Sequence, residues 1–125
     1  MSKDTVFVLK SVNYSEADKV LTVFGKNSGK FALFAKSIRK INSKNRGNMQ
    51  TLNTCKISMY EGKGLPILTE SELVYSPDTE ILKKRIDEIN KVLYMLNKIL
   101  QEYDPNKKVF SMLLSISKKN FDIES

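Results

Sequence analysis

Between Asp18 and Glu61 the sequence contains no aspartate or glutamate, yet it carries Lys19, Lys26, Lys30, Lys36, Arg39, Lys40, Lys44, Arg46 and Lys56. Cations without acids beside them in the chain suit a polyanion. Each phosphate they neutralise releases condensed counterions, and an arginine can fork onto two phosphate oxygens. The densest group, Lys36, Arg39, Lys40, Lys44 and Arg46, is the first candidate for phosphate contact, with Lys19 and Lys30 as secondary ones. A charge run is usually only a solvated surface, so the reading depends on the fold that carries it. Rings add a second kind of chemistry, because a base stacks on an aromatic face whatever its identity. Among Tyr14, Phe31, Phe34 and Tyr60, the two tyrosines lead, since a small core needs most of the phenylalanines.

Catalytic chemistry finds little to work with. The chain has no histidine, and Cys55 is its only cysteine. That excludes an intrachain disulfide, a Cys/His zinc site and histidine-based acid/base chemistry. Glu16 and Asp18 stand two apart, but the next acid is Glu61, so they read as turn formers rather than a catalytic or metal pair. Neither enzyme activity nor a cofactor or metal is expected. Cys55 alternates with apolar neighbours and reads as a small buried hydrophobe.

The chain must position these groups with 125 residues, 41% of them hydrophobic, enough for one sizeable core with an annex. Residues 1–76 hold 12 basic and 6 acidic side chains and residues 77–125 hold nine and eight, so the first part carries most of the net charge of +7. Val6 to Leu9 is the only apolar run near the N-terminus, which predicts neither a secretory signal nor a membrane span and places the protein in the reducing cytoplasm.

Residues 4–12 predict a first strand, Val20 to Phe24 a second and Phe31 to Phe34 a third, with Gly25-Lys26-Asn27-Ser28-Gly29 as the hairpin turn. Lys36 to Asn48 keeps only Ile38 and Ile41 as apolar residues and predicts a solvated, mobile loop with room for a helical turn. Cys55, Ile57 and Met59 alternate with Lys56, Ser58 and Tyr60 in a fourth strand, and Leu65 to Tyr75 forms a fifth, broken near Pro66. Phe7, Phe24 and one of Phe31 or Phe34 are expected inside the resulting barrel.

Ser76-Pro77-Asp78 then predicts a helix start, with Ser76 as the cap and Pro77 in the first turn. Leu82, Ile86, Ile89, Leu93, Leu96, Leu100 and Tyr103 recur in steps of four and three, until Asp104-Pro105-Asn106 stops the helix. A second helix over 106–119 carries Val109, Phe110, Leu113 and Leu114 on one side, completing an antiparallel hairpin. Tyr94, Met95 and Met112 are its residues most apt to stay open to a partner. The expected fold class is therefore β then α (α+β): a five-stranded OB-type barrel over residues 1–76, then a helical hairpin over 77–125.

Particular residues go further than periodicity. Val8-Leu9-Lys10-Ser11, the run from Tyr14 to Phe24, Gly29-Lys30, Ala35-Lys36-Ser37-Ile38-Arg39-Lys40 and Tyr60-Glu61-Gly62-Lys63-Gly64-Leu65 resemble, in order and spacing, the N-terminal segment of bacterial RecO proteins. The resemblance covers residues 4–76. It implies an OB fold that binds single- and double-stranded DNA, anneals complementary strands, helps load recombinase and works with a RecR-like partner, in a nucleoid-associated setting. Typical members also carry a longer helical part with a four-cysteine zinc motif, which this sequence does not match. The tail of single-strand-binding protein docks, in the family, largely on that part, so this partner is not carried over. Two other readings fit the same electrostatics: an adaptor that docks a RecR-like protein with incidental DNA contact, and an OB-fold RNA binder.

Overall fold

The computed structural model describes residues 2–115. Five strands form a closed barrel in the order β1-β2-β3-β5-β4: β1 Ser2–Asn13, β2 Lys19–Gly25, β3 Gly29–Ala35, β4 Thr54–Tyr60 and β5 Ile67–Tyr75. A short helix, α1 (Lys44–Asn48), lies between β3 and β4. Two longer helices follow the barrel, α2 (Thr79–Ile99) and α3 (Lys107–Ser115). The β-then-α order and the five-stranded barrel agree with the sequence reading; residues 116–119, the end of the predicted second helix, lie outside the described residues.

Closure depends on β1, which serves two neighbours. Its first half pairs with β4 and its second half with β2, and the register slips between Val8 and Lys10. One extra residue at that point, Leu9, bends the strand as a bulge does. The remaining gap closes where β3 and β5 meet in parallel at Phe34 and Ile67, helped by the Phe34 amide donating to the Pro66 carbonyl at 2.9 Å. Pro66 has no amide to offer, so the strand begins just after it.

Strand alternation separates two cores. Val6, Val8, Leu21, Val23, Phe31, Leu33, Cys55, Ile57, Met59 and Leu68 fill the barrel. Phe7, Leu9 and Phe24 point the other way and are buried with Ile89, Leu93 and Leu96 of α2 and Phe110 and Leu113 of α3. This corrects the expectation that Phe7 and Phe24 line the barrel. The unbroken run Val6 to Leu9 is a strand buried on both faces, where alternate side chains serve opposite layers. Each fully buried side chain of this size contributes about 1.5–3 kcal/mol, so the helical layer is firmly seated on the barrel.

The 36–48 segment is mostly exposed and holds a short helix, as its composition suggested, but it is anchored to the barrel. Ile38 and Met49 are buried in the barrel cluster and close one end of it, while Ile41 is exposed. Asparagines anchor the rest: Asn48 Nδ2 donates to the Ser71 carbonyl at 3.1 Å, and Ser71 Oγ donates to Asn45 Oδ1 at 2.6 Å. One well-placed apolar side chain within the segment, Ile38, and one just after it, Met49, join the barrel core, a role that an average over the segment hides.

Helix boundaries differ as well. Asp78, not Ser76, caps α2, its carboxylate accepting the Glu80 amide at 2.8 Å. Both residues are competent caps; the charged acceptor makes the stronger bond, and β5 occupies the chain as far as Tyr75. The helix ends at Ile99 rather than near Asp104, because the following strap pairs with β3. The Tyr103 amide donates to the Lys30 carbonyl at 2.8 Å, and the Tyr103 ring stacks on Phe31 with centroids 6.1 Å apart. Asn106 caps α3 by accepting the Lys108 and Val109 amides.

Candidate nucleic-acid interface

The β1–β2 loop organises this end of the barrel. Its backbone turns through the Asp18 carbonyl, which accepts the Tyr14 amide at 3.0 Å. The Asp18 carboxylate accepts Ser15 Oγ at 2.8 Å and the Ser37 amide at 2.7 Å. From the other side, Arg39 donates its backbone amide to the Ala17 carbonyl at 2.9 Å and its Nη1 to the Ser15 carbonyl at 2.6 Å. The loop after β1 is thus fastened to the basic turn after β3. The Ser37 amide holds the Asp18 carboxyl below the ordinary 3.8, with the Ser15 hydroxyl and the charges of Lys36 and Lys40 acting in the same direction.

A groove of about 400 Å³ opens on one side of this loop. Tyr14, Val20, Phe34, Tyr60, Leu65 and Ile67 line it, with Gly62-Lys63-Gly64 on its rim. Tyr14 meets Phe34 edge to face, 5.4 Å between centroids. Tyr14 is 69% exposed and Tyr60 57%, so both rings remain available. A Cβ at Gly62 would lie 3.2 Å from the Tyr60 ring, so the β4–β5 loop passes close beside it. Alternation along β3 sends Phe31 inward and Phe34 outward, so Phe34 joins the two tyrosines instead of the core.

A second depression, also about 400 Å³, lies at the plugged end of the barrel and brings Lys19, Arg39 and Arg46 together with Asn13 and Gln50. Its lining residues Asn13 and Lys19 are chain neighbours of Tyr14 and Val20 in the groove, so both depressions share the end of the β1–β2 ribbon. Lys36 and Lys40 stand exposed on the turn beside Asp18, and Lys44 is exposed at the start of α1. Among the described residues, no carboxylate lies within ion-pairing distance of Lys36, Arg39, Lys40, Lys44 or Arg46; the salt bridge that forms, Arg85 with Glu88, is within α2.

Three other cations of the acid-free interval sit elsewhere, Lys26 among them, exposed on the turn between β2 and β3. Lys30 reaches the end of α2, where its Nζ donates to the Asn97 carbonyl at 2.9 Å and satisfies the helix terminus. Lys56 faces Glu72 across β4 and β5, in a depression that also holds Lys3 and Glu70. An interval free of acids in sequence need not be free of them in space. Lys63, which the spacing argument passed over because it follows Glu61, is on the groove rim.

Among the described residues, no cluster of three or more Cys, Asp or Glu side chains could hold a metal ion, and no helix is long and apolar enough to cross a membrane. Cys55 is buried, its Sγ donating to the Asn48 carbonyl at 3.0 Å, and burial pushes the thiol up to about 12. It has no nucleophilic character there.

A closed five-stranded barrel in this order, with a short helix before β4 and open rings between the β1–β2 and β4–β5 loops, defines the class as an OB-fold protein. Residues 1–77 match the family model "Recombination protein O N terminal". The chain is 32% identical over 120 residues to the DNA repair protein RecO of Shouchella clausii, covering 91% of this chain and 45% of that protein. It is 34% identical over 111 residues to that of Thermodesulfovibrio yellowstonii (86% and 44%) and 41% identical over 69 residues to that of Heliobacterium modesticaldum (55% and 25%). The chain belongs to the RecO family. It spans less than half the length of these relatives.

Proposed function

We propose that this chain is a non-catalytic, cytoplasmic DNA-binding protein of RecO type, taking single- and double-stranded DNA on the surface around the β1–β2 loop. Lys19, Lys36, Arg39, Lys40, Lys44 and Arg46 contact phosphates, and Tyr14 and Tyr60 stack on bases. Lys30, which also donates to the Asn97 carbonyl at the end of α2, is a secondary candidate for phosphate contact. In this reading the chain supports strand annealing, recombinational repair and recombinase loading, together with a RecR-like partner. The relatives' shared description as DNA repair proteins supports it.

The observation that carries the reading is the juxtaposition of cations without a carboxylate partner among the described residues with open rings: Lys19, Arg39 and Arg46 in one depression and Tyr14, Phe34 and Tyr60 in the next. Cations supply sequence-independent attraction and rings supply sequence-tolerant stacking, the combination used by proteins that hold single strands. Annealing of two complementary oligonucleotides, followed by fluorescence quenching, tests it. The rate rises with added protein and returns to the spontaneous rate when Arg39 and Arg46 are both changed to Glu. Equal rates with and without the intact chain would count against the proposal.

A further inference from the structure

We infer that the cleft between β1 and α2 holds a second nucleic-acid strand by its phosphates, so that one chain carries two strands at once. This rests on the nucleic-acid reading above and goes beyond it, because the cleft shares no lining residue with the two depressions at the β1–β2 loop.

The cleft has a volume of about 410 Å³. Buried Leu9 and Leu93 form its floor, and Lys10 of β1 and Lys98 of α2, both exposed, stand over it. Among its described lining residues there is no Asp or Glu, and among the described residues neither lysine lies within ion-pairing distance of a carboxylate. Asp87, the acid that shares this face of α2, is outside the lining and is four residues from both Lys83 and Lys91. A lysine in the last turn of a helix ordinarily serves the helix terminus. Here Lys30 serves it, its Nζ donating to the Asn97 carbonyl at 2.9 Å. Lys98 lies instead over the Tyr94 ring, 4.5 Å from the centroid. That contact restrains a long side chain beside an open cleft, so less freedom is lost when an anion binds.

Its position beside the first phosphate site argues for a second strand as occupant. Thr51 lines the cleft, while Gln50, its chain neighbour, lines the depression that holds Lys19, Arg39 and Arg46. Both are exposed, so the Gln50–Thr51 turn separates the two sites and each is entered on its own side. Along β1, Lys10 belongs to the cleft and Asn13 to the depression. Three residues of strand set them about 10 Å apart. One phosphate does not reach both sites, but two strands, one in each, lie side by side. Complementary strands repel until their phosphates are neutralised, and a chain with a single phosphate site neutralises only one of them.

The test is isothermal titration of the whole chain at low salt with an oligothymidylate of about eight nucleotides, a length within the site size of one OB fold. The intact chain takes two oligonucleotides. Lys10→Glu with Lys98→Glu takes one and no longer speeds the annealing of complementary oligonucleotides, while its remaining site keeps its affinity to within about twofold. Lys10→Gln with Lys98→Gln weakens the same site without reversing its charge. Both lysines are exposed, so the fold tolerates these changes. Saturation at one oligonucleotide per intact chain, unchanged in the Lys10 and Lys98 variants, would overturn the second-strand site and leave the phosphate reading intact. Saturation at one, with a longer strand bound more weakly by those variants, would mean a single continuous track and would overturn it as well. Binding of no oligonucleotide would overturn both.

Discussion

The Asp18 carboxylate accepts the Ser37 backbone amide at 2.7 Å, and this bond joins the loop that carries Tyr14 to the turn that carries Lys36, Arg39 and Lys40. Asp18 is an acid among cations, so its presence costs attraction for phosphate while it fixes the geometry of the surface. The two effects have opposite signs in Asp18→Ala. Binding of an abasic strand rises, because one negative charge is gone. The advantage of oligothymidylate over the abasic strand shrinks, because the loop holding Tyr14 is released. Anisotropy with both probes separates these outcomes; a uniform fall for both would contradict the assigned role.

The same carboxyl sets a pH dependence. Its folded value lies below the ordinary 3.8 because the Ser37 amide, then the Ser15 hydroxyl, favour the charged form. A depressed carboxyl contributes stabilisation that is present in full above 3.8 and is lost as pH falls through the lowered folded value. Between pH 8 and pH 5 the Ser37 amide therefore keeps constant protection in hydrogen exchange. Its chemical shift moves only at more acidic pH, together with the Asp18 carboxyl titration.

Gly29 is the most demanding glycine. It adopts φ +74°, and a Cβ there would lie 2.6 Å from the Asp104 backbone, under the strap that follows α2. Gly29→Ala meets both a disfavoured dihedral and a backbone clash, and loses roughly 2–5 kcal/mol in urea unfolding. Gly47, inside α1, has nothing within 4 Å of a built Cβ. Gly47→Ala leaves stability unchanged or raises it by about 0.4–1 kcal/mol.

The α2 cap is tested by a pair of substitutions. Asp78→Ala removes the acceptor for the Glu80 amide and costs about 0.5–2 kcal/mol, whereas Ser76→Ala is near neutral. The reverse ranking in thermal unfolding would restore the earlier helix start.

Most of the barrel was legible because strands declare themselves through alternation, and residues such as Cys55, Ile57 and Met59 sit inside where period two puts them. Less legible was anything set by which layer a buried residue joins. Phe7 and Phe24 are as apolar as Phe31, but only the three-dimensional order of strands shows that their faces meet α2 and α3. Ile38 and Ile41 looked alike as isolated hydrophobes in a polar segment, yet only Ile38, with Met49 just beyond the segment, is buried in the barrel cluster. Of the proposed site, the exposure of Tyr14 and Tyr60 and of the cations after β3 is what their types and positions suggested. Not legible was the contact of Lys30 with the end of α2, because a lysine that satisfies a helix terminus is chemically indistinguishable, in one dimension, from one awaiting a phosphate.

Salt titration of oligonucleotide affinity tests the central claim most directly. If the cations around the β1–β2 loop hold DNA, log affinity falls linearly with log salt, by about 0.7 for each phosphate neutralised on a single strand. Arg39→Glu, Lys40→Glu and Arg46→Glu combined then flatten the line by roughly two units. Affinity that does not change with salt, or an unchanged slope in the triple variant, would contradict the account.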